Sequence, residues 1–168
     1  MSKSIALRRK VTQVAGLCAL MLLAACAKTP GGDPGGLSLG TSARQAVAGS
    51  TQDFVVNVGD RVFFTTDSAE LTPVARATLD SQAQWLNQYS QFAITLEGHA
   101  DERGTREYNI ALGARRATTA RDYLVTRGVA GNRIQTISFG KERPVAVCDD
   151  ISCWSQNRRA VTLLSGGR

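Results

Sequence analysis

The chain of 168 residues is 43% hydrophobic and 6% aromatic with a formal net charge of +6, which is core material for one domain and excludes two independent cores. Four basic residues, Lys3, Arg8, Arg9 and Lys10, gather at the amino end, and setting them aside brings the charge from +6 to +2. The remainder alternates in sign, as in Asp101, Glu102, Arg103, Arg106 and Glu107, a mixed solvated surface without the clustered basic and aromatic footprint of a nucleic-acid binder.

Behind that basic n-region, the apolar run from Val11 to Ala25 is too short to cross a bilayer as a stable helix, so residues 1–25 read as a cleavable signal. The run closes on Leu23-Ala24-Ala25-Cys26, which resembles the bacterial lipobox. That resemblance implies that Cys26 carries a diacylglyceryl thioether and, after cleavage, an acylated (palmitate-type) amino group. Several acyl chains hold firmly where one holds marginally, each buried methylene adding about 0.8 kcal/mol. Ala27, in place of an aspartate, implies sorting to the outer membrane, lipid-anchored and facing the periplasm.

Residues 26–52 are rich in glycine, proline and serine with no apolar period, a lipidated flexible linker. Its root-mean-square span is roughly 30 Å and its extended reach about 90 Å. The globular domain is read as 53–168. Phe54-Val55-Val56-Asn57-Val58 and Arg61-Val62-Phe63-Phe64, parted by Gly59-Asp60, open it with one or two strands. Thr72-Pro73 supplies a cap and a first helical position, and Ala75, Leu79, Ala83 and Leu86 recur at helical spacing, predicting a helix from about Pro73 to Tyr89. Phe92 to Gly98 alternates as a strand. Thr105 to Arg127 is a long helix with Ile110, Ala114, Ala117, Ala120 and Leu124 on one stripe, closing at Gly128. Ile134 to Phe139 is a third strand, a loop holds Pro144, Cys148 and Cys153, and Ala160 to Leu164 is the last strand. The order is βαβαβ with an extra terminal strand: an α/β (α+β) sandwich of one mixed sheet covered by helices.

The densest chemistry lies in Glu97-Gly98-His99-Ala100-Asp101-Glu102-Arg103-Gly104-Thr105-Arg106-Glu107-Tyr108-Asn109, a strand end, a tight turn and a helix start, where loop side chains and unpaired amides converge. Asn109, Leu112 and Arg116 fall three and four residues apart, on one helical stripe. With the turn folded over that stripe, Asp101 and Arg116 face each other. They offer an acceptor for an ammonium and a fork for a carboxylate, the complement of a zwitterionic amino-acid end. The same two residues would also serve as a structural ion pair capping the turn.

This segment, with Asn157-Arg158-Arg159-Ala160-Val161, closely resembles the OmpA-like peptidoglycan-binding module over roughly Val58 to Leu164; with lipobox and linker, it is similar to the wall-associated lipoproteins of that family. The resemblance implies a non-enzymatic domain that grips the diaminopimelate of the uncrosslinked peptidoglycan stem peptide, Asp101 meeting the amine and Arg116 the carboxylate. Asn109, Leu112 and Thr105 would line the pocket, closed by Phe64 and Thr65 from the first strand and Arg159 from the last helix turn. Where many members carry an aspartate this chain has Thr65, which would remove a charge from that wall and leave Asp67 as a turn residue. As partners the resemblance implies TolB and the wider Tol complex, tying the outer membrane to the wall and drawing it inward at cell division. The alternative is a wall-anchoring lipoprotein of another envelope, secretion or motility complex.

Cys18 leaves with the signal and Cys26 takes lipid, so Cys148 and Cys153 are the candidates for a disulfide in an oxidising compartment. So short a ring stabilises by about 2 kcal/mol at most. Two thiols with Asp149 and Asp150 lack the Cys and His spacing of a zinc site, so no metal and no cofactor are expected. His99, the single histidine, has no nucleophile elbow or paired catalytic carboxylates to serve, and reads as a residue that hydrogen-bonds the turn.

Overall fold

The computed structural model describes residues 46–166. The predicted signal, the lipidation site Cys26 and most of the linker lie outside the described residues.

Order begins inside the stretch read as linker. The Ser50 side chain caps helix α1 (Thr51–Asp53) by accepting from the Asp53 amide at 3.1 Å, and α1 runs on into a π-helical turn, Phe54–Val58, ended by Gly59 at φ 88°. The strand expected over Phe54–Val58 is therefore helical. Its β-branched residues find no neighbouring strand, and Val55 and Val56 are exposed at 45% and 62%. What decides the conformation is tertiary: Phe54 is buried against Trp85, ring centroids 5.0 Å apart, and Asp53 accepts from the Trp85 indole at 2.9 Å. Strand propensity is a preference for a pleated, half-buried surface, and none is offered here.

The remaining elements follow the predicted order: β1 (Arg61–Phe63), α2 (Pro73–Gln88), β2 (Ala93–His99), α3 (Arg106–Thr126), β3 (Ile134–Gly140), α4 (Ile151–Asn157) and β4 (Arg159–Ser165). Thr72 and Thr105 cap α2 and α3, accepting from Ala75 and Tyr108 amides at 3.1 and 3.2 Å; each such cap stabilises its helix by about 1 kcal/mol. The strands form one mixed sheet in the order β1-β4-β2-β3, with β4 antiparallel to both neighbours and β2 parallel to β3. This is the α/β fold read from the sequence, with short helical elements added. Helix α4 occupies the segment expected to be a plain loop, and Cys148 and Cys153, their Cα atoms 5.6 Å apart, are joined as a disulfide across its start.

One core unites the helices with the sheet. Val62, Ile94, Leu96, Ile134 and Ala160 from the strands meet Leu79, Ala83 and Leu86 of α2 and Ala117, Ala120 and Leu124 of α3, each large side chain contributing about 1.5 to 3 kcal/mol on burial. Gly98 on β2 and Gly113 on α3 let the two backbones touch: a Cβ on Gly113 would lie 2.7 Å from the Gly98 carbonyl oxygen. That close approach seats the first turns of α3 directly over the end of β2.

Candidate functional site

The turn from β2 into α3 folds back over α3 and, with the loop after β1, encloses a cleft of about 290 Å³ lined by Thr66, Asp67, Asp101, Arg103, Gly104, Tyr108, Asn109, Leu112 and Arg116. Asn109 is buried, and its amide donates to the Arg103 and Thr105 carbonyls at 2.7 and 3.0 Å, pinning the turn to the helix beneath it. Leu112 supplies the apolar floor.

Arg116 is completely buried, and each of its nitrogens donates to a different carbonyl: Nε to Ser68 at 2.8 Å, Nη1 to His99 at 2.7 Å and Nη2 to Thr65 at 3.1 Å. A guanidinium has five N–H donors, so one hydrogen on each Nη is left without a partner among the described residues, in a side chain that lines the cleft. Phe64 packs against it, 5.2 Å from ring centroid to guanidinium carbon. Among the described residues no carboxylate forms an ion pair with Arg116. Burial, reinforced by the like charge of Arg158, pushes it down to about 10 despite Asp101 and Asp67 nearby, so at neutral pH it is a charged group stripped of water, with no directly paired counter-ion among the described residues.

Asp101, 6% exposed, is not that counter-ion. Its Oδ1 accepts from the Arg103 amide and Nε at 3.3 and 3.1 Å, and its Oδ2 from Arg103 Nη2 at 2.7 Å and Arg158 Nη1 at 3.4 Å. Burial opposes its charge, but the Arg103 hydrogen bonds, with Arg158, outweigh burial and hold the carboxyl below its ordinary range. The expected face-to-face pair is thus a pair of opposite charges in one cleft, each with other partners. The carboxylate with acceptor capacity to spare is Asp67, at the cleft wall after β1, where it accepts from the Tyr108 hydroxyl and holds a φ of 56°, uncommon for a residue other than glycine. A carboxylate thus lines the cleft two residues beyond Thr65.

The other predicted positions divide. Phe64 and Thr65 lie just beyond β1, which ends at Phe63; Phe64 backs Arg116 and Thr65 contributes a carbonyl, not a side chain. Thr105 is the α3 cap. Arg159 opens β4 instead of closing a helix, and its guanidinium bonds the Asn157 and Arg143 carbonyls at 3.3 and 3.1 Å, away from the cleft; its neighbour Arg158 is the one that reaches Asp101. His99 stacks on Phe139 at 5.7 Å, and neither ring nitrogen has a hydrogen-bond partner; only its carbonyl engages the site. No cluster of metal-ligating side chains occurs among the described residues.

Comparison with known proteins gives a family model, the OmpA family, matching residues 63–158. The chain is similar to peptidoglycan-associated lipoproteins of Rhizobium meliloti, 67% identical over 87% of this chain and 83% of the relative, and of Mesorhizobium japonicum, 62% identical over 99% and 98%. A crystal structure of the peptidoglycan-associated lipoprotein from Burkholderia pseudomallei is 40% identical with a TM-score of 0.61, over 63% of this chain and 90% of that one. The C-terminal domain of Helicobacter pylori MotB, 21% identical with a TM-score of 0.60 over 64% and 85%, shares the fold.

Proposed function

This chain belongs to the OmpA family, and from that premise we propose that it is a lipid-anchored, non-enzymatic tether that binds peptidoglycan through the diaminopimelate of an uncrosslinked stem peptide. The observation that carries this reading is Arg116, a fully buried cation caged by three carbonyls, with two N–H donors unsatisfied and no ion pair made among the described residues. A buried charge without a partner is costly, and a ligand carboxylate would complete it with a bidentate, charge-assisted pair. The ammonium on the same carbon of a diaminopimelate end then faces Asp67 and Asp101. Names borne by the relatives, lipoproteins associated with peptidoglycan, agree with that chemistry. Cys26 as lipid attachment and Ala27 as an outer-membrane sorting signal complete the tether, with the folded domain on the wall side. Among the described residues no helix is long and apolar enough to cross a membrane, so within the folded domain the anchor is not a helical span.

In this reading the second partner is TolB with the Tol complex, coupling outer membrane and wall for envelope integrity and for invagination during division. Wall and TolB binding use the same face, built from the Asp101 turn, the α3 stripe and the segment from Cys148 to Arg159, and exclude each other. The test is calorimetric titration of the full-length chain in detergent with a diaminopimelate-containing stem peptide, alone and with TolB. Saturable binding that TolB competes away supports the reading. No binding, or a stable ternary complex, overturns the wall assignment or the exclusivity respectively.

A further inference from the structure

The loop that carries Asp101 is supported from outside by a part of the chain that does not line the cleft. Trp154 on α4 donates its indole N–H to the Glu102 carboxylate, and the Arg103 guanidinium lies over its ring, 4.1 Å from the centroid. Arg103 in turn holds Asp101 through three hydrogen bonds. Arg158, directly after α4, reaches the same carboxylate and ties back to the Phe64 carbonyl at 3.1 Å.

Helix α4 has seven residues, where an isolated helix needs about 12 to 15 to persist in water, so restraints at its two ends must hold it. At the far end, the buried Asn157 side chain accepts from the Val145 and Ala146 amides at 2.9 and 3.2 Å and donates to the Ala146 carbonyl at 2.8 Å. At the near end, Asp150 accepts from the Ser152 amide at 2.7 Å, and the Cys148–Cys153 disulfide closes a ring around that cap. Trp154 is the residue next to the second cysteine.

We infer that this disulfide-closed ring and Trp154 form a brace that holds the Asp101 loop ready for ligand, which makes Trp154 a positioning residue and makes wall affinity depend on Cys148 and Cys153 being oxidised. The inference rests on the wall-binding reading above. Reduction by a dithiol breaks the S–S bond: two electrons and two protons pass from the dithiol, which leaves as its own disulfide, to give two thiols. The ring opens, the first turn of α4 frays, and Trp154 releases Glu102 and Arg103. Ligand must then order the loop itself, and lost preorganisation is read as lost affinity.

The experiment titrates the full-length chain in detergent with a diaminopimelate-containing stem tripeptide, with and without dithiothreitol, for wild type, Trp154→Ala and the Cys148→Ser, Cys153→Ser double variant. Reduction weakens wild-type binding roughly three- to ten-fold. Trp154→Ala in the oxidised state is weakened to a similar degree and no longer responds to dithiothreitol, and the double variant matches reduced wild type. Unchanged wild-type affinity on reduction, or a full dithiothreitol response in Trp154→Ala, overturns the brace. Failure of oxidised wild type to bind at all overturns the wall-binding reading instead. The brace is then decided by hydrogen exchange at the Arg103 amide, which donates to Asp101 at 3.3 Å; exchange that reduction does not accelerate refutes it.

Discussion

Replacing Arg116 by methionine keeps the length of the side chain while removing its charge and every donor. Three carbonyls lose their partners, and at about 1 to 1.5 kcal/mol net for each hydrogen bond the fold loses roughly 4 kcal/mol. Against that, burial holds the guanidinium well below its ordinary range, at about 10, so keeping it charged costs on the order of 3 kcal/mol, and the substitution relieves that. The two effects nearly offset, so the melting temperature falls by only about 4 °C. Ligand binding has no such offset. A ligand carboxylate loses a bidentate charged donor worth about 2 to 3 kcal/mol, roughly a 30- to 150-fold rise in Kd. Calorimetric titration of the full-length Arg116→Met variant with stem peptide, beside its melting curve, reads both quantities. An intact fold that binds within about threefold of wild type would refute the fork; melting lowered by more than about 10 °C would show that the carbonyl cage matters chiefly to the fold.

Three further outcomes are expected. Burial, with Arg159 and Arg143 nearby, pushes His99 from 6.5 down to about 4, so its contribution is complete above pH 6.5 and is lost as pH falls towards 4, where the unfolded chain takes the proton first; urea midpoints of His99→Phe should lose the decline that wild type shows across that window. The Arg103 hydrogen bonds, with Arg158, hold the Asp101 carboxyl below its ordinary range in the folded chain, so its pairing stabilises above that range and fails as pH drops below it; Asp101→Asn should abolish the loss of stability below about pH 4 in thermal melts. Gly113→Ala forces a Cβ to 2.7 Å from the Gly98 carbonyl oxygen and should cost about 2 to 3 kcal/mol by urea denaturation, an unchanged midpoint contradicting the close backbone contact.

The long elements were legible because each declares itself by period and cap: Thr72-Pro73 and Thr105 stand where α2 and α3 start, and of the predicted α3 stripe Ala117, Ala120 and Leu124 are buried, while Ile110 is half-buried and Ala114 exposed. Short elements were not. Seven residues of α4 span two turns, too few for a period to emerge, and what holds them is a disulfide and the Asn157 side chain, contacts invisible in one dimension. Phe54–Val58 has strand composition but docks as a helical turn because Trp85 is its neighbour. In the site, opposite charges at Asp101 and Arg116 could be placed in one cleft from spacing, but their actual partners could not. Backbone carbonyls carry no sequence signature, and which of two adjacent arginines points inward depends on where β4 begins. Asp67 was passed over because its loop conformation, not its sequence context, aims it at the cleft.

The strand order has a consequence for how the chain comes into being. Among the described residues strand β1 pairs with β4 alone, and β4 separates β1 from β2, so the sheet's central seam is closed by residues 159–165, the last of the four strands in the chain. Until they emerge, β1 has no partner and β2 has one open side. Contacts so distant in sequence form slowly, because loop closure must precede any reward. A nascent chain of this topology keeps its sheet open until β4 has been made, which suits the membrane-crossing route that a tether of the proposed kind would take before it folds.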